Sequence, residues 1–393
     1  MRLPIAIFTL TLCVVLATLT SPARGAPDEM PLSRFELQGG KAPLPKRSLA
    51  LPKGIASLSA SECEGCHVTE AREWQGSQHR QSWTSALFQD AYRIEPMPEC
   101  RNCHQPLTAG EKPTAAIKQL RSEGITCTVC HVRDGSILAP QRSGRAPHAV
   151  VEAPVMAESA FCGGCHQFNF PDRRPERHDN IVYQTSEPMQ DTLGEWQRLR
   201  AKGAMPQTCQ DCHMPPATGA ATAGSPRHRS HRFAGGYDQA TLQRAVAVAV
   251  EIAPAAGTAL AELVVHLAAQ EAGHAVPTGD LYRSIVIEAR PLDEAGKPVG
   301  APQEQRLQRH FISTVESDES GRPRVRKRQS EDDRLMPGQP QELRFRLPAA
   351  ARLVQYRISL SRLPPGAKAS IATSISLIAE GQVAIGRGKG VSL

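Results

Sequence analysis

Aromatic side chains are scarce in this chain: 9 Phe, 5 Tyr and 3 Trp among 393 residues. A chain of this length should build two or three domains. Filling more than one core with so few rings requires another source of large flat surfaces. Beyond the N-terminus there is no stretch of 18 uncharged apolar residues, which excludes a second helical membrane span. Nor is the composition that of a disordered chain, with 40% hydrophobic and 22% charged residues. The 30 Gly and 32 Pro fall short of low complexity but imply much loop. A formal charge of +7 invites a nucleic-acid or membrane reading, to be weighed against whatever else the chain carries.

The N-terminus reads as a secretory signal peptide over residues 1–25. Arg2 precedes an apolar run from Leu3 to about Leu19, and Ala23-Arg24-Gly25 supplies a small-x-small cleavage site. An uncleaved anchor is the competing reading, because the run borders on spanning length. Cys13 lies inside this run. Residues 26–58, with Pro27, Pro31, Pro43, Pro45 and Pro52, read as a Pro-rich extended segment. The expected location is periplasmic or extracellular, with no stable membrane span after cleavage.

Ten of the 11 cysteines remain. In an exported protein the default expectation is five disulfides, but the spacing argues otherwise. The cysteines fall as Cys63/Cys66, Cys100/Cys103, Cys127/Cys130, Cys162/Cys165 and Cys209/Cys212, each pair followed at once by a histidine: His67, His104, His131, His166 and His213. Cys-x-x-Cys-His is the c-type haem attachment sequence. Two thiols three positions apart can each add to one vinyl group on a porphyrin edge, and the histidine becomes the proximal iron ligand. A zinc site needs no histidine fixed after every pair and would leave an odd half-site here. A thioredoxin-like redox pair needs one motif, not five. The expected cofactors are therefore five c-type haems.

Successive proximal histidines are 37, 27, 35 and 47 residues apart. That is too little polypeptide to bury each haem in its own core, so the haems are expected to pack together and supply much of the interior. Residues 59–239 thus read as an α-helical, loop-rich pentahaem cytochrome c domain. From 240 to 393 the pattern turns to period two. Val246, Val248, Val250 and Ile252 alternate with Ala and Glu, as do Leu343, Phe345 and Leu347 with Arg, and Val354, Tyr356, Ile358 and Leu360 with polar residues. Further strands are expected near 261–269, 283–290, 305–313 and 370–378 between turn signals. Seven or so strands predict an all-β domain, an immunoglobulin-like sandwich. The basic run Arg322, Arg324, Arg326, Lys327, Arg328 is flanked by acidic residues and reads as a solvated hairpin.

Eight histidines remain for other duties: His79, His148, His178, His228, His231, His266, His274 and His310. What fills the sixth position of each iron separates a carrier from a catalyst. Several segments carry a family resemblance. They are Cys63 to His79 with Trp74 and Ser77, Gly124-Ile125-Thr126, Pro147-His148, Cys162 to Phe170, Met189 to Thr192 with Glu195-Trp196, Cys209 to Pro215 and His231 to Gly236. Over residues 61–238 the chain resembles the cytochrome c-554 family of multihaem proteins, whose named cytochrome is tetrahaem; the fifth motif and the β-domain are departures. The stretch Gly273 to Gly279 is similar to a segment of β-domains attached to such cytochromes. The resemblance implies that His79, His148 and His231 are distal ligands, and His274 joins them as a candidate. His178, in an Arg-rich loop, is a further candidate or a surface residue. His228 is the weaker of the 228/231 pair, and His266 and His310 fall within predicted strands. Met97, Met189 and Met205 are the alternative donors.

The expected function is electron transfer between redox partner proteins, a quinol-side donor or an exported reductase, with no catalytic residues. The competing reading is an oxidoreductase with one open haem acting on nitrite, hydroxylamine or tetrathionate. The basic balance then loses its meaning. Loss of Arg2 and Arg24 with the signal lowers the charge, and each ferric haem with ionised propionates contributes about −1, so no affinity for nucleic acid is expected.

Overall fold

The computed structural model describes residues 36–38, 42–44, 49–94, 96, 100–109, 111–112, 114–142, 146–171, 184–217, 228–255, 261–317, 321, 323–363 and 374–386. The predicted signal peptide, His178 and Met97 lie outside the described residues. Among the described residues no helix is long and apolar enough to cross a membrane.

The N-terminal part is helix-rich, with short helices joined by loops and small hairpins. The attachment motifs sit where the sequence predicts, on single turns of helix. Cys100–His104, Cys127–His131 and Cys209–His213 are each one helix, and Cys162 to His166 close helix Ser159–His166. The first motif straddles helices Ser61–Glu64 and Val68–Gln75, with His67 as the N-cap of the second. One helical turn brings positions i, i+3 and i+4 to one face, as the attachment chemistry requires. The fifth motif is stopped at its N-terminus by a capping box: Thr208 Oγ1 accepts from Asp211 N–H, and Asp211 Oδ2 accepts from Thr208 N–H at 2.9 Å.

Apolar side chains contribute little to this half. Its clusters are small: Leu58, Leu107, Val129 and Val132 in one, and Leu138, Ala153, Val155 and Met156 in the other. Clusters of that size cannot hold a region this long by themselves.

The C-terminal part is built differently. Helix Gln239–Ala245, capped by Asp238 and anchored by Leu242, leads into two antiparallel sheets. One orders strands Val246–Pro254, Ala261–Ala269 and Gln341–Arg346. The other orders Pro323–Asp332, Gln303–Ser317, Ser284–Leu292, Leu353–Ser361 and Ile375–Ala384. Both sheets feed one core. Leu263, Val265, Leu267 and Phe345 from the first meet Ile285, Ile287, Val354, Ile358 and Leu360 from the second. These are the alternate residues of each strand, as period-two patterning demands. The strands expected from the sequence are present, except that the one expected near 370–378 is observed as Ile375–Ala384, residues 370–373 lying outside the described residues. Gln303–Ser317 and Pro323–Asp332 form the hairpin that carries the basic run, and Arg328 pairs there with Glu316.

The two parts share a long seam. Hairpin Gln167–Pro171/Gln184–Asp191 of the N-terminal part faces the second sheet. There the rings of Phe170 and Phe311 meet edge to face at 5.3 Å, and Arg309 donates to the carbonyls of Pro188 (2.6 Å) and Met189 (2.9 Å).

Candidate haem-ligand sites

Four of the five motif histidines face a second histidine from far along the chain. Ring centroids are 6.5 Å apart for His67 and His148, 6.2 Å for His79 and His166, 6.2 Å for His131 and His231, and 6.1 Å for His213 and His274. The last pair is nearly parallel, with 6° between ring planes. Ordinary aromatic pairs also span about 4.5–7 Å, so the argument rests on the repetition: four times a motif histidine meets one distant histidine within a narrow range of separations. A first-row metal binds an imidazole nitrogen at about 2.0–2.1 Å, and a five-membered ring of bonds near 1.33 Å has its centroid about 1.1 Å behind that nitrogen. Two imidazoles on opposite sides of one metal therefore have centroids about 6.2–6.4 Å apart. All four pairs lie within a few tenths of an ångström of that range.

The nitrogens are prepared in the same sense. Nδ1 of His104 donates to Ser82 O (2.7 Å), that of His131 to Leu138 O (2.9 Å) and that of His213 to Ala234 O (2.5 Å). On the opposing side, His231 donates to Arg229 O (2.8 Å) and His274 to Ala275 O (2.9 Å). A carbonyl on Nδ1 fixes the tautomer and leaves the Nε2 lone pair for a metal. His148 Nδ1 is buried with no hydrogen-bond partner among the described residues. Burial also keeps the rings neutral, as a ligand must be. It lowers His79 to about 3, with His166, His231 and His213 adding repulsion, and lowers His131 and His166 to about 4. His166 is an exposed residue, yet the protein crowded around its ring still disfavours the charged form.

The cysteines meet across motifs. Cys127 lies beside Cys63, Cys162 beside Cys209 and Cys165 beside Cys103. Cys130 lies close enough to Cys165 for their charges to interact, and burial pushes its thiol up to about 11. None of the described cysteines forms a disulfide. Among the described residues no three or more His, Cys, Asp or Glu side chains gather as a bare metal would need. The donors converge in pairs, on opposite sides of a thickness, with paired thiols beside them. That donor set fits haem and does not fit a tetrahedral zinc site.

The other predicted residues resolve as follows. His228 directs Nε2 to Glu73 (3.3 Å), whose same oxygen accepts the His231 N–H at 2.8 Å, so His228 belongs to the support of His231. His310 pairs with Asp333 at 2.9 Å and His266 lies beside Glu251 and Glu342, all in the β-region. His104 has no imidazole opposite it among the described residues. Phe88 stacks on its ring at 3.8 Å, Trp83 and Tyr92 pack around Phe88, and Arg101 donates to the Tyr92 hydroxyl at 2.8 Å. Sequence reasoning missed this cluster. The signal was there: Phe88 and Tyr92 are one helical turn apart on Ala86–Ile94, and three of the few aromatic residues lie within ten positions.

A profile of the cytochrome c554 and c-prime family matches residues 62–132. No curated protein matches the chain. Among solved structures it is similar to a penta-heme cytochrome c552 from Thermochromatium tepidum. Identity is 20%, the TM-score is 0.60, and the match covers 84% of this chain and 99% of that one. At that identity the likeness speaks for the fold. Together with the attachment motifs and the family match, it makes this chain a multihaem c-type cytochrome resembling the cytochrome c554 family.

Proposed function

We propose that the chain is an exported cytochrome that holds five covalently attached haems and passes electrons between redox partner proteins. The observation that carries this reading is the four histidine pairs at the separation of two ligands across one iron. Cys63, Cys66, Cys100, Cys103, Cys127, Cys130, Cys162, Cys165, Cys209 and Cys212 are the attachment residues. His67, His104, His131, His166 and His213 are the proximal ligands, opposed by His148, His79, His231 and His274. Haem, when bound, supplies the electron-carrying chemistry, and bis-imidazole ligation keeps an iron closed to small molecules.

The chain's own part is to order the attachment sites. The neighbouring thiols support an order in which the first motif lies beside the third and the fourth beside both the second and the fifth, with the third near enough to the fourth for their charges to interact. Cys66 of the first motif and Cys212 of the fifth are exposed. Of the two four-motif series this order contains, the one from the first motif to the fifth thus has an exposed cysteine at each end, where a quinol-side donor or an exported reductase can approach. Residues 59–239 form the haem-binding domain and 240–393 the β-domain in this reading. The two antiparallel sheets around one core, with Gln341–Arg346 crossing to the first sheet, support an immunoglobulin-like sandwich.

A second reading rests on His104. With an aromatic cluster and Arg101 around it and no opposing histidine among the described residues, its iron is the candidate for an open site. The substrate would be a small nitrogen or sulfur compound such as nitrite, hydroxylamine or tetrathionate. Optical and EPR spectra of the oxidised protein decide between the two. A carrier is wholly low-spin and indifferent to CO after reduction, whereas a high-spin fraction that binds CO or nitrite refutes the closed carrier. In either case His79→Ala adds one high-spin, CO-binding haem while five remain attached. A His79→Ala protein with the wild-type spin state refutes the ligand assignment.

A further inference from the structure

Among the contacts between the β-region and the haem-binding half is the segment Gly273 to Gly279, and a buried polar cluster holds it there. Glu195, on helix Thr192–Ala201 of the N-terminal part, is 5% exposed. Its Oε2 accepts from the backbone N–H of Ala275 (3.2 Å) and from Thr278 Oγ1 (2.7 Å), so one carboxylate oxygen spans the residues just after His274. Its Oε1 lies 2.8 Å from Nη2 of Arg334, itself 4% exposed. Arg334 donates through Nη1 to Pro277 O at 3.0 Å, and Asp332 takes Nε and Nη2 at 2.8 and 2.7 Å. Val276 and Leu335 exchange both backbone hydrogen bonds, at 2.9 and 3.1 Å, and Thr192 and Thr278 share a hydroxyl contact at 2.9 Å.

The backbone following His274 is therefore held from both sides by groups on two different parts of the protein. The ring it presents is the one most nearly parallel to its partner, 6° from His213. Burying a carboxylate and a guanidinium costs solvation, which hydrophobic residues of the same volume would not incur, so such pairs are weak as stabilisers and better understood as fixing a geometry.

We propose that Glu195 and Arg334 are positioning residues that hold His274 as the sixth ligand at the fifth attachment site. The role of the β-region is thereby to complete a haem carried by the other half of the chain. The proposal rests on the reading of His213 and His274 as a ligand pair, and the test separates the two.

The test uses the full-length, haem-loaded protein in a Met205→Leu background, which removes the thioether packed against Gly273. Variants His274→Ala, Glu195→Gln, Arg334→Met and Thr278→Val are compared by haem count from intact mass, spin state by EPR, and CO uptake after reduction. His274→Ala takes up one more CO per protein than its parent. Glu195→Gln and Arg334→Met show the same added uptake in part of the molecules, with the potential of one haem shifted and the others unchanged. Thr278→Val, which removes a single donor and leaves the ion pair, gives a smaller change of the same kind. Arg334→Lys, which keeps the charge, restores most of the low-spin signal. A His274→Ala protein with parental CO uptake overturns the ligand reading and the proposal with it. A changed His274→Ala protein beside Glu195→Gln, Arg334→Met and Thr278→Val proteins with parental spin state and potentials overturns the proposal alone.

Discussion

Gly124→Ala tests whether the turn that carries His79 is built as described. Gly124 precedes the third attachment motif at φ +65°, a conformation in which an L side chain crowds its own backbone at about 1–2 kcal/mol. A Cβ there would lie 2.5 Å from Ser82 Oγ, 2.8 Å from the His79 carbonyl and 3.0 Å from the Arg80 carbonyl. The serine hydroxyl can turn aside, but the carbonyls cannot, and that of His79 accepts the Ile125 N–H at 3.0 Å. Opening this hydrogen bond adds about 0.5–1.5 kcal/mol, so the substitution should cost about 1.5–3.5 kcal/mol in all.

Gly54→Ala is the internal control. Its φ is +85°, and nothing lies within 4 Å of the added carbon, so it should cost only the backbone term of about 1–2 kcal/mol. Urea unfolding of both haem-loaded variants, followed by Soret circular dichroism, measures the difference. Gly124→Ala should have the lower midpoint and bind some CO, because the His79 ring is carried on the displaced carbonyl's residue. Equal midpoints for the two variants, with no CO uptake by Gly124→Ala, would refute the packing of Gly124 on this turn.

Thr208→Ala removes the reciprocal cap of helix Cys209–His213. It should lower stability by about 0.5–2 kcal/mol, and an unchanged denaturant midpoint would contradict the cap's role. Acid should act through the buried histidines. His79, His131 and His166 have folded-state pKa values depressed to about 3 and 4, below the ordinary 6.5, so the unfolded chain binds the extra protons. Stability is then fully present above about pH 6.5 and is lost progressively as pH falls toward 3–4, and iron on the same nitrogens works in the same direction. Thermal melts at a series of pH values check the sign; a protein that grows more stable from pH 7 to 5 would contradict it.

The legible parts of the molecule are those set by near neighbours. Cys-x-x-Cys-His is complete within five residues, and the strands of the C-terminal half announce themselves by alternation, down to the Val246, Leu343 and Val354 runs. The resemblance also pointed to His79, His148 and His231. What could not be read was pairing. That His79 faces His166 rather than His67, or that His274 faces His213, depends on contacts tens to scores of residues apart, and no local pattern encodes them. Glu195 and Arg334 were invisible for the same reason, since each looks like an ordinary surface charge within its own segment. The His104 surroundings stand between these cases. Their aromatic helix face is visible in sequence, but its position against the motif is not.

The thiol contacts between motifs impose an order on biogenesis. In the closed chain, Cys127 lies beside Cys63, Cys162 beside Cys209, and Cys165 beside Cys103. A thiol such as Cys130, held at about 11, is thiolate in only about one molecule in ten thousand at neutral pH, and the thiolate is the reactive form. A chain that closed first would present its cysteines to each other, and on the proposal that the protein is exported its compartment would favour joining them. If the proposed five haems are attached, each has to reach its pentapeptide while the segment is still extended and open. Each Cys-x-x-Cys-His sequence is complete within five residues and needs no tertiary structure to be recognised, whereas the histidine opposite it comes from far along the chain and can close only once the chain folds.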